Sequence, residues 1–500
     1  MLASGTQLLI DVGPGGTSDK IAVVANGTTG GQLNAGGSVG FAPVSGHLIR
    51  AGDIYTIATA SGGVSGRFNT PTALSAILTP TLNYSSNAVT ARIVAGAYAN
   101  VVANTPYQTA YARLLDQNRS IQGNFSNLYG TLDLQSASTI RTTLEGLAPS
   151  TEALKRAQGT MALDNSARFF REHLATLSPS EGLGGTLTMI GKPVQVASLA
   201  MSNLAGSQAQ MATDSGGVSM RENVLPENVA VFLAGGYLDG KARALPQTAA
   251  SGVRDHFDGF YVATGIETEV DDASILGFGF SYTKTTGDTS FGQYARGDLY
   301  QGTLYGKTEL GGFSLDSQFS AGVFQARTQR NVSLAGVAYN LRSRDNALAL
   351  SSEVGLAKTY GFGGLKIGPR IAARVSHLGF TPTAETGGGP ALRYDRQDYN
   401  SVQGRAGLML SSDGPFRPYA SAYYVHDFQD RPGVFGANFA GGIGPSALFA
   451  LPGHDKDWGE ASLGLSYTAG RVQLSLGADT TFERKDVENQ SYRGTIKIAF

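Results

Sequence analysis

The chain has 500 residues, of which 41% are hydrophobic and only 15% charged, with 67 glycines and a formal net charge of −1. Soluble domains carry about 25% charged residues, so the chain is charge-poor without being greasy, and it has no basic field for nucleic acid. With 0 cysteines it has no disulfide, thiolate metal site or cysteine nucleophile, and no run of about eighteen apolar residues supplies a transmembrane helix.

Residues 1–100 read as short strands broken by glycine turns: "TQLLIDV", "DKIAVVA", "GQLNAG", "GDIYTIATA", "SGRFN" and "TLNYSSNAVTARIV". Stacked short strands of this kind predict the end of a β-solenoid. The start, "MLASGTQLLIDVGPGG", lacks a basic stretch followed by an apolar one, so no signal peptide is expected there.

Residues 105–177 switch to helical spacing. "TPYQTAYARLLDQNRSI" and "TEALKRAQGTMALDNSARFFREHLATL" place apolar residues three and four apart: Ala153, Leu154, Ala157, Met161, then Phe169, Phe170, Leu174, Leu177. Ser150 or Thr151 is placed to cap the second helix. A further small-residue stretch, 192–212, is also a helix candidate.

From 228 onward the period becomes two. Strands are expected near 228–238, 258–269, 273–286, 297–309, 312–326, 346–360, 364–378, 399–411, 416–428, 458–468, 471–483 and 490–500. Most alternate strictly. In 273–286, Leu276, Phe278, Phe280 and Tyr282 oppose Gly277, Gly279 and Ser281. Connections alternate short ("VDD", "GG", "FGG", "DG", "AG") and long (near 239–257, 287–296, 327–345, 379–398, 429–457, 484–489). Short turns on one rim and long loops on the other predict a 12-stranded antiparallel transmembrane β-barrel over residues 223–500. Strand parity puts both ends of such a barrel on the short-turn rim. An N-terminal part on the far side must then pass through the lumen, and a tube of this width admits one helix.

Lipid-exposed ions are costly, so charges on the polar side of these strands are read as lumen-facing: Glu267, Lys307, Glu353, Lys366, Arg370, Arg374, Arg405, Asp479, Arg493 and Lys497. They are expected to hold a plug helix and keep the passage hydrated. The six histidines show no metal-ligand spacing. His426 and Asp427 in "VHDF" are a weak candidate for the Asp/His arrangement of barrel proteases, and "RGD" at 296–298 is a weak adhesion candidate. No nucleophile-elbow or nucleotide fingerprint is present. The expectation is no enzyme, no metal and no cofactor.

Several stretches in order carry a family likeness: "GDIYTIATASGGVSGRFN" (52–69), "ILTPTLNYSSNAVTARI" (77–93), "LEGLAPSTEALKRAQGTMALDNSARFFREHL" (144–174), "FRPYASAYYVHDF" (416–428) and the final "SYRGTIKIAF". Together they resemble the autotransporters, the type V secretion family of Gram-negative bacteria. The resemblance implies three parts: 1–100, the end of a right-handed β-helical passenger; 101–222, a helical linker and lumen-threading segment; 223–500, the translocator barrel. It implies an outer-membrane protein that carries its own N-terminal passenger to the cell surface. The implied partners are outer-membrane lipid, barrel-assembly machinery and periplasmic chaperones, with a monomeric barrel and no nucleic acid. Tyr492, Ile496, Ile498 and Phe500 on one face of the last strand are the implied assembly signal. An Asn-Asn cleavage pair used by some relatives is missing here, which speaks against release by that route. The alternatives are a surface adhesin acting through passenger or loops, and a barrel porin or outer-membrane protease.

Overall fold

The computed structural model describes residues 5–177, 228–248, 251–334, 336–430 and 433–499. Twelve long strands form the barrel: Val229–Arg243, Arg254–Asp271, Ser274–Asp288, Tyr294–Leu310, Phe313–Leu334, Val337–Ala357, Leu365–Phe380, Gln397–Ser412, Phe416–Asp427, Asp457–Ala469, Val472–Phe482 and Val487–Ala499. Each pairs antiparallel with its neighbour in sequence. The twelfth closes on the first, from Val487 opposite Ala242 to Ala499 opposite Ala230. Closure leaves no free edge, the condition for a sheet to cross lipid.

Alternation decides which way each side chain points. Leu233, Phe278, Leu304, Phe319, Leu348, Val375, Leu408, Leu463, Leu476 and Ile496 stand exposed on the outer surface. Their sequence neighbours turn inward and are buried. Tight turns close one rim. Gly311 and Gly312, with φ of 58° and 82°, take the two left-handed positions of the fourth hairpin turn, a geometry that a side chain would strain. Replacing Leu476, 68% exposed on the apolar band, by arginine is expected to cost about 2–4 kcal/mol of barrel stability in bilayers. Unfolding titrations in lipid vesicles check this; an unchanged midpoint would contradict the lipid-facing assignment.

The opposite rim is more structured than alternation suggests. The fifth and sixth strands run on to Leu334 and Val337, so most of the expected loop 327–345 is ladder. Outside the apolar band the outward positions become Arg327, Gln329, Asn331, Asn340, Arg342 and Arg344, so the greasy face that marks a strand is lost. Two other long loops contribute Thr383–Ala384, Leu392–Tyr394, Val434–Phe439 and Ala447–Ala450 to a small antiparallel sheet above the mouth.

Helices α1 (Pro106–Asn118), α2 (Ser126–Leu132) and α3 (Ala137–Gly146) pack at this rim. Tyr111 meets Phe449 edge-on at 5.2 Å, and Phe125 meets Phe439 at 5.4 Å. Tyr107 Oη donates to the Ala450 carbonyl at 2.9 Å. Short strands precede the helices. Gln7–Val12 runs parallel beside Ser38–Pro43, Ile21–Val23 beside Ile54–Ala60, and Leu33–Ala35 beside Val64–Gly66. An antiparallel pair, Leu78–Tyr84 and Ala88–Ala95, ends this part. Its interior, including Val12, Tyr55, Ile57, Leu78 and Val89, joins one core with the helices and outer loops.

Candidate functional site: the helix-filled lumen

A fourth helix, α4 (Thr151–Thr176), fills the barrel: 23 of its 26 residues are buried. At about 1.5 Å per residue it is about 39 Å long, enough to pass the roughly 30 Å hydrocarbon layer. Its start lies among the long loops. Ser150 Oγ bonds to Thr289 Oγ1 and Gln293 Oε1, each at 2.8 Å. The expected cap is therefore not made: Ser150 accepts no bond from the first turn of the helix, because its hydroxyl is engaged by the loop. Glu152 instead sits in that turn, favourable for the helix dipole. It pairs with Lys155 at 2.8 Å and accepts from Gln397 Nε2 at 2.6 Å. The end of the helix lies near the short turns, where Lys307 Nζ donates to the Leu177 carbonyl at 2.5 Å.

Between these ends the helix is held by charge. Asp164 lies between Arg374 on the seventh strand, at 2.6 Å, and Arg484 beyond the eleventh, at 2.8 Å. Arg171 contacts Glu353 at 3.4 Å and Glu460 at 2.8 Å. Glu172 meets Arg493, and His173 meets Glu267. Arg168, Arg171, Arg370, Arg374, Arg405, Arg484 and Arg493 are thus matched by Asp164, Glu172, Asp316, Glu353, Glu460, Asp479 and Asp486. The balance matters, because a buried ion without a partner costs several kcal/mol.

Most of the sequence-selected charges meet here. Glu267, Lys307, Glu353, Arg374 and Arg493 touch α4 or its final carbonyl. Arg370, Arg405, Asp479 and Lys497 bind those residues from the wall: Arg370 and Arg405 on Glu353, Asp479 on Arg493, Lys497 on Glu267. Lys366 is different. It lies at the short-turn rim and pairs with Asp413 at 2.7 Å, both well exposed, so it does not hold the helix. Glu460 and Asp316 were missed, although the same alternation places both inward. Asp164, Arg168, Arg171, Glu172 and His173 were missed for another reason: on a helix such charges read as a solvated face.

Packing adds a steric lock. A methyl group built on Gly159 would lie 2.6 Å from Leu378 Cδ2 and 3.3 Å from Phe324 Cε1, so the helix passes the wall closely there. Phe169 and Phe170 insert among Phe232, Tyr261 and Tyr305 at 5.1–6.4 Å. Beside the end of α4 a cavity of about 380 Å³ remains, lined by Arg171, Asp316, Lys366, Arg370, Tyr419 and Tyr423 among others. Among the described residues no group of His, Cys, Asp or Glu is arranged to hold a metal.

The two weak motifs are spent structurally. Arg296 and Asp298 of "RGD" pair with each other at 2.9 Å within the fourth strand, and Asp298 is only 2% exposed. Asp427 is buried on Ser401 Oγ, while His426 turns outward to Asp457 at 2.7 Å. Tyr492, Ile496 and Ile498 share the outward face of the twelfth strand; Phe500 lies outside the described residues.

A closed barrel with an apolar girdle and a polar lumen filled by its own upstream helix defines an outer-membrane β-barrel of the plugged type. Residues 233–481 match the autotransporter beta-domain family model. No curated protein matches the chain. Among solved structures, the translocator domain of autotransporter NalP from Neisseria meningitidis is 16% identical, covering 56% of this chain and 90% of that one with a TM-score of 0.45. The beta domain of the Bordetella autotransporter BrkA is 13% identical, covering 55% and 100% with a TM-score of 0.38. The transport unit of AIDA-I from Escherichia coli is 15% identical, covering 56% and 93% with a TM-score of 0.33. Residues 233–481 are thus an autotransporter beta-domain, and the barrel they form is an outer-membrane translocator.

Proposed function

We propose that the barrel carried its own upstream chain outward, and that α4 is the segment retained in the lumen as a plug. The observation behind this is the course of α4. It begins among the long loops and ends beside Lys307, near the short turns. The N-terminal strands and α1–α3 then lie on the cell surface. Residues 1–100, with their parallel short strands, are the end of a β-helical passenger; 101–222 are the linker and threading segment; 223–500 are the translocator. The second lumen-helix candidate, 192–212, lies outside the described residues. In this reading the protein has no catalytic role, and the buried charges serve retention and sealing. The barrel acts as a monomer delivered by periplasmic chaperones and the assembly machinery, with the outward row Tyr492, Ile496, Ile498 and Phe500 as the recognised signal.

The chain lacks cysteine, so single cysteines report cleanly. Ser45→Cys and Ser251→Cys are both expected to react with an impermeant thiol reagent on intact cells. If Ser251→Cys reacts while Ser45→Cys stays protected until the outer membrane is broken, the N-terminal part is periplasmic and the reading fails.

A further inference from the structure

On the second, third and fourth strands Phe260, Tyr282 and Tyr300 form a girdle, with ring centroids 6.1 and 5.0 Å apart. Aromatic residues of this kind mark the membrane–water interface. Val323 and Leu348 continue the girdle row in register with Tyr300, and Leu304 lies exposed below it, so the outward face here is apolar. Toward the long loops, three arginines fall in one transverse row. Arg296 is the register partner of Arg327, and Arg327 of Arg344. By strand parity all three point outward, like Tyr300, Val323 and Leu348. Register partners lie about 5 Å apart, so the row spans about 10 Å. Arg342 stands two residues further out on the same face.

Like charges directly opposite one another destabilise a sheet. Arg296 is neutralised by Asp298 at 2.9 Å, and Asp298 also accepts from Tyr282 Oη at 2.7 Å. Among the described residues Arg342 and Arg344 make no salt bridge within 4.0 Å, and Arg327 makes none either but feels the Asp298 carboxylate at longer range. All three line a groove of about 660 Å³ beside Thr383, whose hydroxyl donates to the Arg344 carbonyl at 2.9 Å. A phosphate accepts paired N–H donors from guanidinium groups. An amphiphile would place its phosphate in the groove and its acyl chains on the apolar strip beneath. A soluble anion would use only the first feature.

We propose that Arg327, Arg344 and Arg342, with Arg296 at the edge, bind the phosphorylated headgroup of a lipid in the leaflet at the long-loop rim. The proposal rests on the barrel spanning a membrane and not on which way the N-terminal part points.

The test uses the full chain in neutral detergent, with binding followed by native mass spectrometry. Its probes are a bisphosphorylated glycolipid, the same glycolipid without its phosphates, and inorganic phosphate. The phosphorylated lipid is expected to bind at least about tenfold more tightly than the dephosphorylated one, and about 1 M salt is expected to weaken it. Arg327→Gln/Arg344→Gln is expected to lose about tenfold or more, and Arg327→Lys/Arg344→Lys less. Each variant is first shown to form a heat-modifiable barrel; Arg342→Gln replaces the double variant if that one does not fold. Equal binding of the two lipids, or undiminished binding by the glutamine variant, overturns the proposal. Displacement of the lipid by inorganic phosphate makes this a soluble-anion site and overturns it too.

Discussion

Asp164→Ala is expected to loosen the lumen helix by about 3–5 kcal/mol, the cost of removing one partner from a buried ion pair. Asp164 is 4% exposed and is the carboxylate that joins α4 to two separate parts of the wall, Arg374 and Arg484. Arg484 keeps Asp486 at 3.2 Å, and Arg374 keeps a hydrogen bond with Ser351 Oγ at 3.1 Å. Only the bonds to the helix are lost. The barrel ladder does not depend on them, so heat modifiability should persist. Amide exchange along 151–176 should accelerate by about two to four orders of magnitude while the strands remain protected. Unchanged exchange in α4 would show that the helix is not held by this charge.

Arg330→Ala is expected to have a similarly large effect at the outer mouth. Arg330 is fully buried on the extension of the fifth strand. It donates to both carboxylate oxygens of Glu385, at 2.6 and 2.7 Å, and to the Leu147 carbonyl at 2.6 Å. Leu147 follows α3, and its carbonyl also accepts from Tyr111 Oη at 2.7 Å. One guanidinium therefore ties the N-terminal part to a long loop and to the barrel wall. Removing it leaves Glu385 buried with only neutral donors, Tyr394 Oη and the Leu392 amide, a loss of about 3–5 kcal/mol. Limited proteolysis should then cut within 101–150 while the barrel band survives. Wild-type resistance in the variant would show that Arg330 does not couple the two parts.

The barrel was legible because lipid on one side and water on the other imposes a period of two on every strand. The same rule placed Glu353, Arg374 and Arg493 inward, and would have placed Glu460 and Asp316 there. It failed where its cause ends. Beyond the apolar band the outward positions become Arg327 and Arg344, so a ladder reads as a loop. The identity of the lumen helix was not legible. A helix in a polar tube needs no apolar face, and α4 carries Asp164, Arg168, Arg171 and Glu172 as a surface helix would. What distinguishes it is the complementary charge on the wall, which becomes visible only once strands and helix are placed together. Ser150 shows the same limit: its position suits a cap, but a loop far along the chain takes its hydroxyl.

The central claim is that the lumen is filled by the protein's own helix. The most direct measurement is single-channel conductance in planar bilayers, comparing the full chain with a chain beginning at residue 178. The account predicts a nearly closed channel for the full chain and stable openings at least about tenfold larger without the helix, as expected for a twelve-stranded tube whose interior is polar. Equal conductance from the two proteins would contradict it.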